Sequence, residues 1–274
     1  MHKGNQEIRE RKADFTNVYN RAFPSGYYES MGSLDYQIPE KAKPIIDFFI
    51  HDILNQKPII KILDVGCSYG TLSALLKYNL SMDVLYHSYK NTGIDYSLLP
   101  NRSYIKFFGL DISKNAIDYS VRSGLLDSGM SIDLESECSS NSLDDIPKDI
   151  DIVVSTGCFG YITEKTILKI LDHCSGVSNP LLLFFVMRPF SYESAIRELQ
   201  IRKFHTKSLE NFFFRQRKFK DEIEHERIIS TLKSSHYEDI PELDGHTYAT
   251  LYVSEHQFEQ NPTSFFSAYP LVLN

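Results

Sequence analysis

The sequence predicts an α/β fold with a doubly wound, mostly parallel sheet. From Ile59 onward, apolar segments of strand length alternate with segments of helical periodicity, an order typical of parallel strands joined by helical crossovers. The predicted strands are apolar at nearly every position, which indicates burial on both faces. A glycine-rich turn separates the first strand from its helix. Together these observations predict a Rossmann-like sheet with an N-terminal helical cap and a C-terminal antiparallel edge strand.

Residues 1–58 precede the alternation and are predicted to form a helical cap that covers the ligand site as a lid. Apolar residues at helical spacing predict a helix over residues 8–22, and a second helix begins with Pro44 in its first turn. The aromatic link between them, residues 23–28, is predicted to be a turn. We expect one of three cap tyrosines to contact a bound ligand: Tyr27, Tyr28 or Tyr36.

The core is predicted to span residues 59–274. Its parallel strands are assigned to residues 59–65, 104–110, 130–134, 150–154 and 181–187. Alternation of apolar and polar residues over 247–253 predicts the antiparallel edge strand. Two further segments are distinguished: an insertion at residues 81–103 and a helical segment at residues 190–240. Residues 211–220 alternate aromatic and basic side chains, and we interpret them as a half-buried strand rather than a surface that stacks nucleic acid bases.

The composition excludes several classes of protein. A chain of 274 residues, 42% of them hydrophobic, can bury one large core. The formal net charge of −7 argues against nucleic acid as the main partner, because binding to phosphates needs a basic surface. No apolar run is long enough to span a membrane. The four cysteines have no paired spacing and the first residues are polar, which predicts a cytoplasmic protein with reduced thiols.

The glycine-rich turn is the first part of the predicted ligand site. In an open parallel sheet, ligands bind beyond the carboxyl ends of the strands. The turn after the first strand lets the backbone approach a ligand closely, and the helix start offers unpaired N–H groups. The candidate residues of this turn are Asp64, Gly66, Cys67, Ser68 and Gly70.

An acidic residue after the second strand is the second part of the site. Asp111 is predicted to end that strand, where its carboxylate can accept hydrogen bonds from both hydroxyls of a ribose. Asp95 is an alternative, because residues 93–97 resemble residues 109–113 and lie closer to the glycine turn. Apolar residues before Asp111 and an amphipathic helix after it favour Asp111.

The remaining candidates follow other strands or belong to the cap. Further cofactor-binding candidates are Tyr36, Ile112, Asp133, Leu134, Ser155, Thr156 and Gly157. Candidates for catalysis are Tyr161, His205 and Arg188. Arg188 follows the fifth strand and suits an acceptor carboxylate or phosphate, although a surface ion pair explains it equally well. The nine histidines show no metal-ligand spacing, so no metal is expected.

Residues 61–187 resemble the class I S-adenosylmethionine (SAM)-dependent methyltransferases. Residues 62–70 are similar to the cofactor loop of that family, residues 109–113 to its ribose-binding acidic segment, and residues 151–161 to its fourth motif. Residues 34–44 and 213–219 add a resemblance to uncharacterised bacterial members. Ser68 stands where the dinucleotide fingerprint has glycine, which disfavours a nicotinamide-dependent oxidoreductase.

The resemblance implies SAM as the cofactor and methyl transfer to a small-molecule acceptor. It leaves O-, N- and C-methylation open. A SAM-binding protein without catalysis, acting as a partner or scaffold, is the alternative.

Overall fold

One mixed sheet organises the fold. The computed structural model describes residues 20–136, 142–209, 212–235 and 237–257. Within these ranges the sheet contains eight strands: β1 (Ile60–Val65), β2 (Ile105–Asp111), β3 (Ser128–Ser131), β4 (Ile152–Thr156), β5 (Leu181–Met187), β6 (Phe204–Ser208), β7 (Phe214–Lys218) and β8 (His246–His256).

The strand order is β3-β2-β1-β4-β5-β8-β6, and β7 also pairs with β8. Strands β1 to β5 are parallel to one another, and their order is that of a doubly wound sheet. The predicted fold class is therefore confirmed. From β1 the chain adds β2 and β3 on one side of the sheet and then crosses over to add β4 and β5 on the other side. The order of the strands therefore reverses between β1 and β4, and ligands bind in such sheets at the carboxyl ends of the strands beside this switch point.

The last strand is antiparallel as predicted, but it does not lie at the edge. Strand β6 pairs with residues 252–256 of β8, and β7 pairs with residues 246–249. The segment 190–240, predicted to be helical, therefore contributes two strands as well as helices, and residues 211–220 include the half-buried strand β7. Alternating side chains reveal which face of β8 is buried, but pairing is made by the backbone, so the pattern does not show which strands flank it.

The helices in the described ranges are α1 (Ser25–Ser33), α2 (Ile38–Leu54), α3 (Thr71–Lys77), α4 (Met82–Asn91), α5 (Lys114–Arg122), α6 (Glu164–Cys174), α7 (Glu193–Ile201) and α8 (Glu222–Ser234). Four of them begin with a side chain that accepts an N–H of the first turn: Ser81, Ser113, Thr163 and Asp221. These caps fix where each helix begins. No helix among the described residues is long and apolar enough to cross a membrane.

The N-terminal region differs from the prediction in two respects, and most of the helix predicted over 8–22 lies outside the described residues. The predicted turn at 23–28 contains the start of α1, and α2 begins at Ile38, so Pro44 lies inside that helix. Proline there forfeits one backbone hydrogen bond. Helix α2 tolerates this because its apolar face is buried against the sheet.

The packing of α2 makes it part of the core. Its buried residues Ile45, Ile46 and Phe49 join the same apolar cluster as Ile62 of β1 and Val154 of β4. A second cluster covers the opposite face of the sheet, under α6 and α7. The boundary at residue 58 between cap and core stays a prediction, but α2 is not a detachable lid.

The insertion at residues 81–103 is folded and packs against helix α1 of the cap. It contains α4 and a 3₁₀ turn, Tyr96–Leu98. Tyr28 of α1 stacks on Tyr89 of α4 with ring centroids 4.4 Å apart, and the Tyr89 hydroxyl lies 3.1 Å from that of Tyr96. Aromatic rings bury large apolar areas while their hydroxyls pair with one another. This aromatic cluster joins the insertion to the cap.

A buried ion pair joins the residue that follows β5 to the 3₁₀ turn Pro241–Asp244, which precedes β8. The Arg188 guanidinium donates to Glu242 at 3.0 Å and to the Asp239 carbonyl at 2.6 Å, and its face lies 4.0 Å from the Phe213 ring centroid. Arg188 is 4% exposed and Glu242 is 0% exposed. Burial raises the pKa of Glu242, and the positive charge of Arg188 opposes that rise. The pair is therefore an internal support of the fold.

We predict that Arg188→Met destabilises the protein by about 3–5 kcal/mol, because it leaves the Glu242 carboxylate buried without a cation. Urea unfolding followed by circular dichroism measures this loss. Arg197→Met is the matched control: Arg197 lies 3.9 Å from Glu193 on the surface, and its loss should cost about 0.5 kcal/mol or less. If the two substitutions lowered the free energy of unfolding by the same amount, the buried pair would stabilise the fold no more than the surface pair does.

Candidate functional site

The turn after β1 combines three left-handed residues. Gly66, Ser68 and Gly70 have φ values of 75°, 49° and 71°. A Cβ on Gly66 would lie 2.6 Å from the Cβ of Cys158, so only glycine fits where this turn passes the loop after β4. The Cys67 side chain points into the core and packs on Gly109. The backbone of the turn, rather than the Cys67 thiol, therefore lies at the site.

Asp111 holds the turn in this conformation from the end of β2. Its carboxylate accepts the backbone N–H groups of Ser68 and Ser113, each at 2.8 Å. Burial raises the pKa of Asp111, and the hydrogen bonds from these N–H groups partly offset the rise. Asp95 instead accepts the Ser97 N–H at 3.1 Å and caps the 3₁₀ turn. The acidic residue at the end of the second strand is therefore Asp111, as predicted.

Asp64 is a buried acid without a hydrogen-bond partner for one of its oxygens. It lies in β1 between Gly109 of β2 and Val154 of β4 and is 2% exposed. Its Oδ1 has no hydrogen-bond partner among the described residues. Burial raises the pKa of Asp64 to about 8, and the negative charge of Asp111 adds to this. A buried polar atom of this kind requires an explanation, and a polar ligand provides one.

The loop after β4 meets the cap above Asp64. The Tyr36 hydroxyl donates to the Thr156 carbonyl at 3.0 Å. Ser155 is fully buried, and its Oγ also lacks a partner within the described ranges. Gly157 has φ 97°, and a Cβ there would lie 2.5 Å from the side-chain nitrogen of Gln216. The structure thus brings four predicted residues, Asp64, Ser155, Thr156 and Gly157, together under Tyr36.

The other side of the site, beyond β2 and β3, is more open. Ile112 directly follows β2, and its side chain is 74% exposed. Strand β3 ends at Ser131, three residues earlier than predicted, so Asp133 and Leu134 lie in the loop after it. Asp133 is exposed and accepts the Glu135 N–H at 2.9 Å, whereas Leu134 is buried in the second core cluster. Ile112 and Asp133 therefore present side chains at the surface, and Leu134 does not.

The three candidates for catalysis occupy different places. Tyr161 lies in the loop after β4 and is 41% exposed. His205 is at the opposite end of the sheet, because Phe204 beside it pairs with His256, while the carboxyl end of β5 pairs with Ala249. The prediction for His205 is therefore wrong. Arg188 is neither a surface ion pair nor available to a ligand, since Glu242 and the Asp239 carbonyl hold it.

The cap tyrosines differ in their contacts. Tyr27 is 3% exposed, receives a hydrogen bond from Thr71 at 3.4 Å, and lies near both Asp64 and Asp111, with burial raising its pKa to about 12. Tyr28 stacks on Tyr89, which is a packing role. The hydroxyl of Tyr86 donates to the Tyr36 carbonyl.

Three residues of the site were missed from the sequence: Thr71, Tyr86 and Gln216. Nothing local to Gln216 marks it, because it is brought to the site by a strand that enters the sheet late in the chain. Across the described ranges, no three His, Cys, Asp or Glu side chains are placed to hold a metal ion.

No protein-family model and no curated protein matches the chain. Among solved structures, the chain is similar to the plantazolicin methyltransferase BpumL in complex with a triazolic desmethylPZN analog and SAH. The sequence identity is 12%, the match covers 94% of this chain and 100% of that chain, and the TM-score is 0.48. It is also similar to a TehB-like SAM-dependent methyltransferase from Corynebacterium glutamicum, with 14% identity, 73% and 83% coverage, and a TM-score of 0.37.

A third similar structure is magnesium protoporphyrin IX methyltransferase (ChlM) from Synechocystis PCC 6803 with bound SAM. The identity is 12%, the coverage 93% of this chain and 92% of that chain, and the TM-score 0.39. Because the identities and TM-scores are low, we base the function on the residues of this chain.

We predict that Asp64 makes the fold less stable as the pH rises. The pKa of this carboxyl is about 8 in the fold, against 3.8 for an aspartate side chain exposed to water. The folded state thus keeps a proton that the unfolded state releases, so stability falls with rising pH between these two values. Asp64→Asn cannot ionise, and its melting temperature should exceed that of the wild type by a margin that grows from about pH 5 to pH 8.

Thermal unfolding at several pH values measures that margin. Asp118→Asn is the control, because Asp118 is paired with Lys114 on the surface. A margin for Asp64→Asn that stays constant or shrinks as the pH rises would contradict the raised pKa.

Proposed function

We propose that this chain binds S-adenosylmethionine and transfers its methyl group to a small-molecule acceptor. The observation that carries the proposal is the pair of acids, the buried Asp64 and the partly exposed Asp111, at the carboxyl ends of adjacent strands beside the left-handed turn that contains Gly66 and Gly70. A nucleoside with an attached amino acid offers hydroxyls to one acid and an ammonium group to the other.

The donor and acceptor groups of the site fit this cofactor. The two oxygens of Asp111 accept the Ser113 and Ser68 N–H groups, and the carboxylate has further lone-pair capacity for the ribose hydroxyls. The exposed side chain of Ile112 offers an apolar surface to a purine ring, and Asp133 can accept from its amino group. At the other end, Asp64 Oδ1 and Ser155 Oγ are buried acceptors without partners among the described residues. They suit the ammonium group of the amino acid part.

The protein's contribution to the reaction is positioning and exclusion of water. When bound, the cofactor supplies a methyl group already activated by its sulfonium charge. The turn at Gly66 and the carboxylate of Asp111 would fix the nucleoside, and Tyr36 would close the site against solvent over Thr156. Tyr161 remains a candidate general base. A chain that binds the cofactor without transferring the methyl group, as a partner or scaffold, is the alternative, and a methyl-transfer assay separates the two.

The proposal includes a cytoplasmic location and an acceptor other than nucleic acid. Cys67 and Cys174 are buried thiols outside any disulfide, which suits a reducing compartment. The basic strand β7 is engaged within the protein: Arg215 pairs with Asp35 and Arg217 with Glu224. These cations are therefore not arranged as a surface for phosphates.

Calorimetry with S-adenosylhomocysteine tests the cofactor assignment. We expect a dissociation constant in the micromolar range, which corresponds to a binding free energy of about −8 kcal/mol. NAD should not bind comparably. Asp111→Ala should weaken binding by about tenfold or more, because charge-assisted hydrogen bonds to the ribose are lost. Asp95→Ala is the matched control, since Asp95 lies in a similar local sequence but caps the 3₁₀ turn. Tight NAD binding with no response to S-adenosylhomocysteine would overturn the proposal.

A second prediction concerns the proton on Asp64. Because the pKa of Asp64 is about 8 in the fold, this residue is mostly protonated at pH 7. An ammonium group placed beside it favours the carboxylate, so binding of S-adenosylhomocysteine should release nearly one proton. Calorimetry in buffers of different ionisation enthalpy, such as phosphate and Tris, counts the released protons. Asp64→Asn should abolish this release, and an unchanged release in the variant would assign the proton to another group.

A further inference from the structure

Gln216 is the extra residue of a bulge in β7. Arg215 pairs with Tyr248 of β8 and Arg217 with Thr247, so two adjacent residues of β8 face three of β7. A bulge of this kind redirects a side chain and is common beside functional sites. Here it turns the strand so that Gln216 and Arg217 are both buried, which regular alternation would not allow.

The side chain of Gln216 lies against the loop that follows β4. It is 5% exposed. Its backbone carbonyl accepts the Gln37 N–H at 2.7 Å, next to Tyr36, whose hydroxyl is bonded to Thr156. The absence of a side chain at Gly157 makes room for the Gln216 amide, because a Cβ there would lie 2.5 Å from its nitrogen. Gln216 is thus placed at the side of the site where the methyl group would be transferred.

The amide oxygen of Gln216 has no hydrogen-bond partner within the described ranges. A buried acceptor left unpaired costs stability, so its presence beside a candidate binding site indicates that a ligand group completes it.

The surroundings of Gln216 carry little net charge. Burial raises the pKa of the Tyr27 and Tyr36 hydroxyls, so both remain neutral phenols. Three nearby arginines are each bonded to a carboxylate: Arg188 to Glu242, Arg215 to Asp35 and Arg217 to Glu224. An anionic acceptor would have to displace one of these carboxylates to pair with an arginine of the protein.

We propose that Gln216 determines acceptor specificity, and that the acceptors are uncharged molecules whose O–H or N–H group donates a hydrogen bond to its side-chain oxygen. The inference rests on the proposed function, because it assigns the acceptor side of the same site. Neutral phenol rings and an amide together suit a planar apolar molecule with a hydroxyl or amine group.

A pair of probes with the same ring system tests the proposal. We use 2-naphthol, a neutral hydrogen-bond donor, and 2-naphthoate, an anion, and measure their binding to the full chain saturated with S-adenosylhomocysteine. The wild-type protein should bind 2-naphthol and should not bind 2-naphthoate measurably. Gln216→Met has a similar length but no acceptor oxygen of this kind, and it should weaken 2-naphthol binding about five- to tenfold.

Two further variants complete the test. Gln200→Met removes an exposed amide on α7 and should leave 2-naphthol binding unchanged. Gln216→Asn keeps the amide but withdraws it by one methylene, so it should also weaken 2-naphthol binding; it provides the measurement if Gln216→Met fails to fold. Melting temperatures and the affinity for S-adenosylhomocysteine identify any general damage.

The outcomes separate this inference from the proposed function. Failure of the wild-type protein to bind S-adenosylhomocysteine would overturn the cofactor assignment. With S-adenosylhomocysteine binding intact, the specificity proposal alone is overturned if neither probe binds, if 2-naphthoate binds better than 2-naphthol, or if the Gln216 variants bind 2-naphthol as well as the wild type does.

Discussion

The placement of two acids side by side, one buried and one partly exposed, is the constraint on which the site depends. Asp64 and Asp111 lie at the ends of neighbouring strands, and the negative charge of Asp111 adds to the cost of ionising the buried Asp64. Asp111 is accommodated by two backbone N–H groups. By contrast, the Oδ1 atom of Asp64 accepts no hydrogen bond from the described residues. Asp111 accepts the Ser68 N–H and so stabilises the left-handed conformation of the turn that begins at Gly66. The same carboxylate thus sets both the charge of the site and the conformation of its backbone.

The parts of this protein that could be predicted from sequence are those encoded by local pattern. Apolar strands, the glycine turn and the acid after β2 depend on periodicity and on backbone conformations that few residues adopt. The position of Asp111 at the end of β2 was predictable because a buried strand precedes it, whereas Asp95 caps a 3₁₀ turn. The antiparallel direction of β8 was also predictable, since its alternating pattern differs from that of the parallel strands.

The parts that escaped prediction depend on contacts between distant segments. His205 has the right chemistry, but its strand enters the sheet with this residue at the far end. Gln216 has an ordinary local sequence, and only the bulge in β7 brings it to Gly157. Residues 81–103 carry a weak helical pattern, and their tyrosines are ordered by rings from α1 rather than by their own periodicity. In each case tertiary packing overrides what a short window of sequence can encode.

The segment that joins α1 to α2 is bonded to β7 through the main chain. The Lys218 N–H donates to the Leu34 carbonyl, and the Gln37 N–H donates to the Gln216 carbonyl, both at 2.7 Å. Asp64 below this segment is almost completely shielded. For a ligand that enters beneath this segment, these main-chain bonds must break first, which makes opening of the segment a step separate from encounter. The association rate would then level off at high ligand concentration, at a ceiling set by the opening rate of this segment rather than by diffusion.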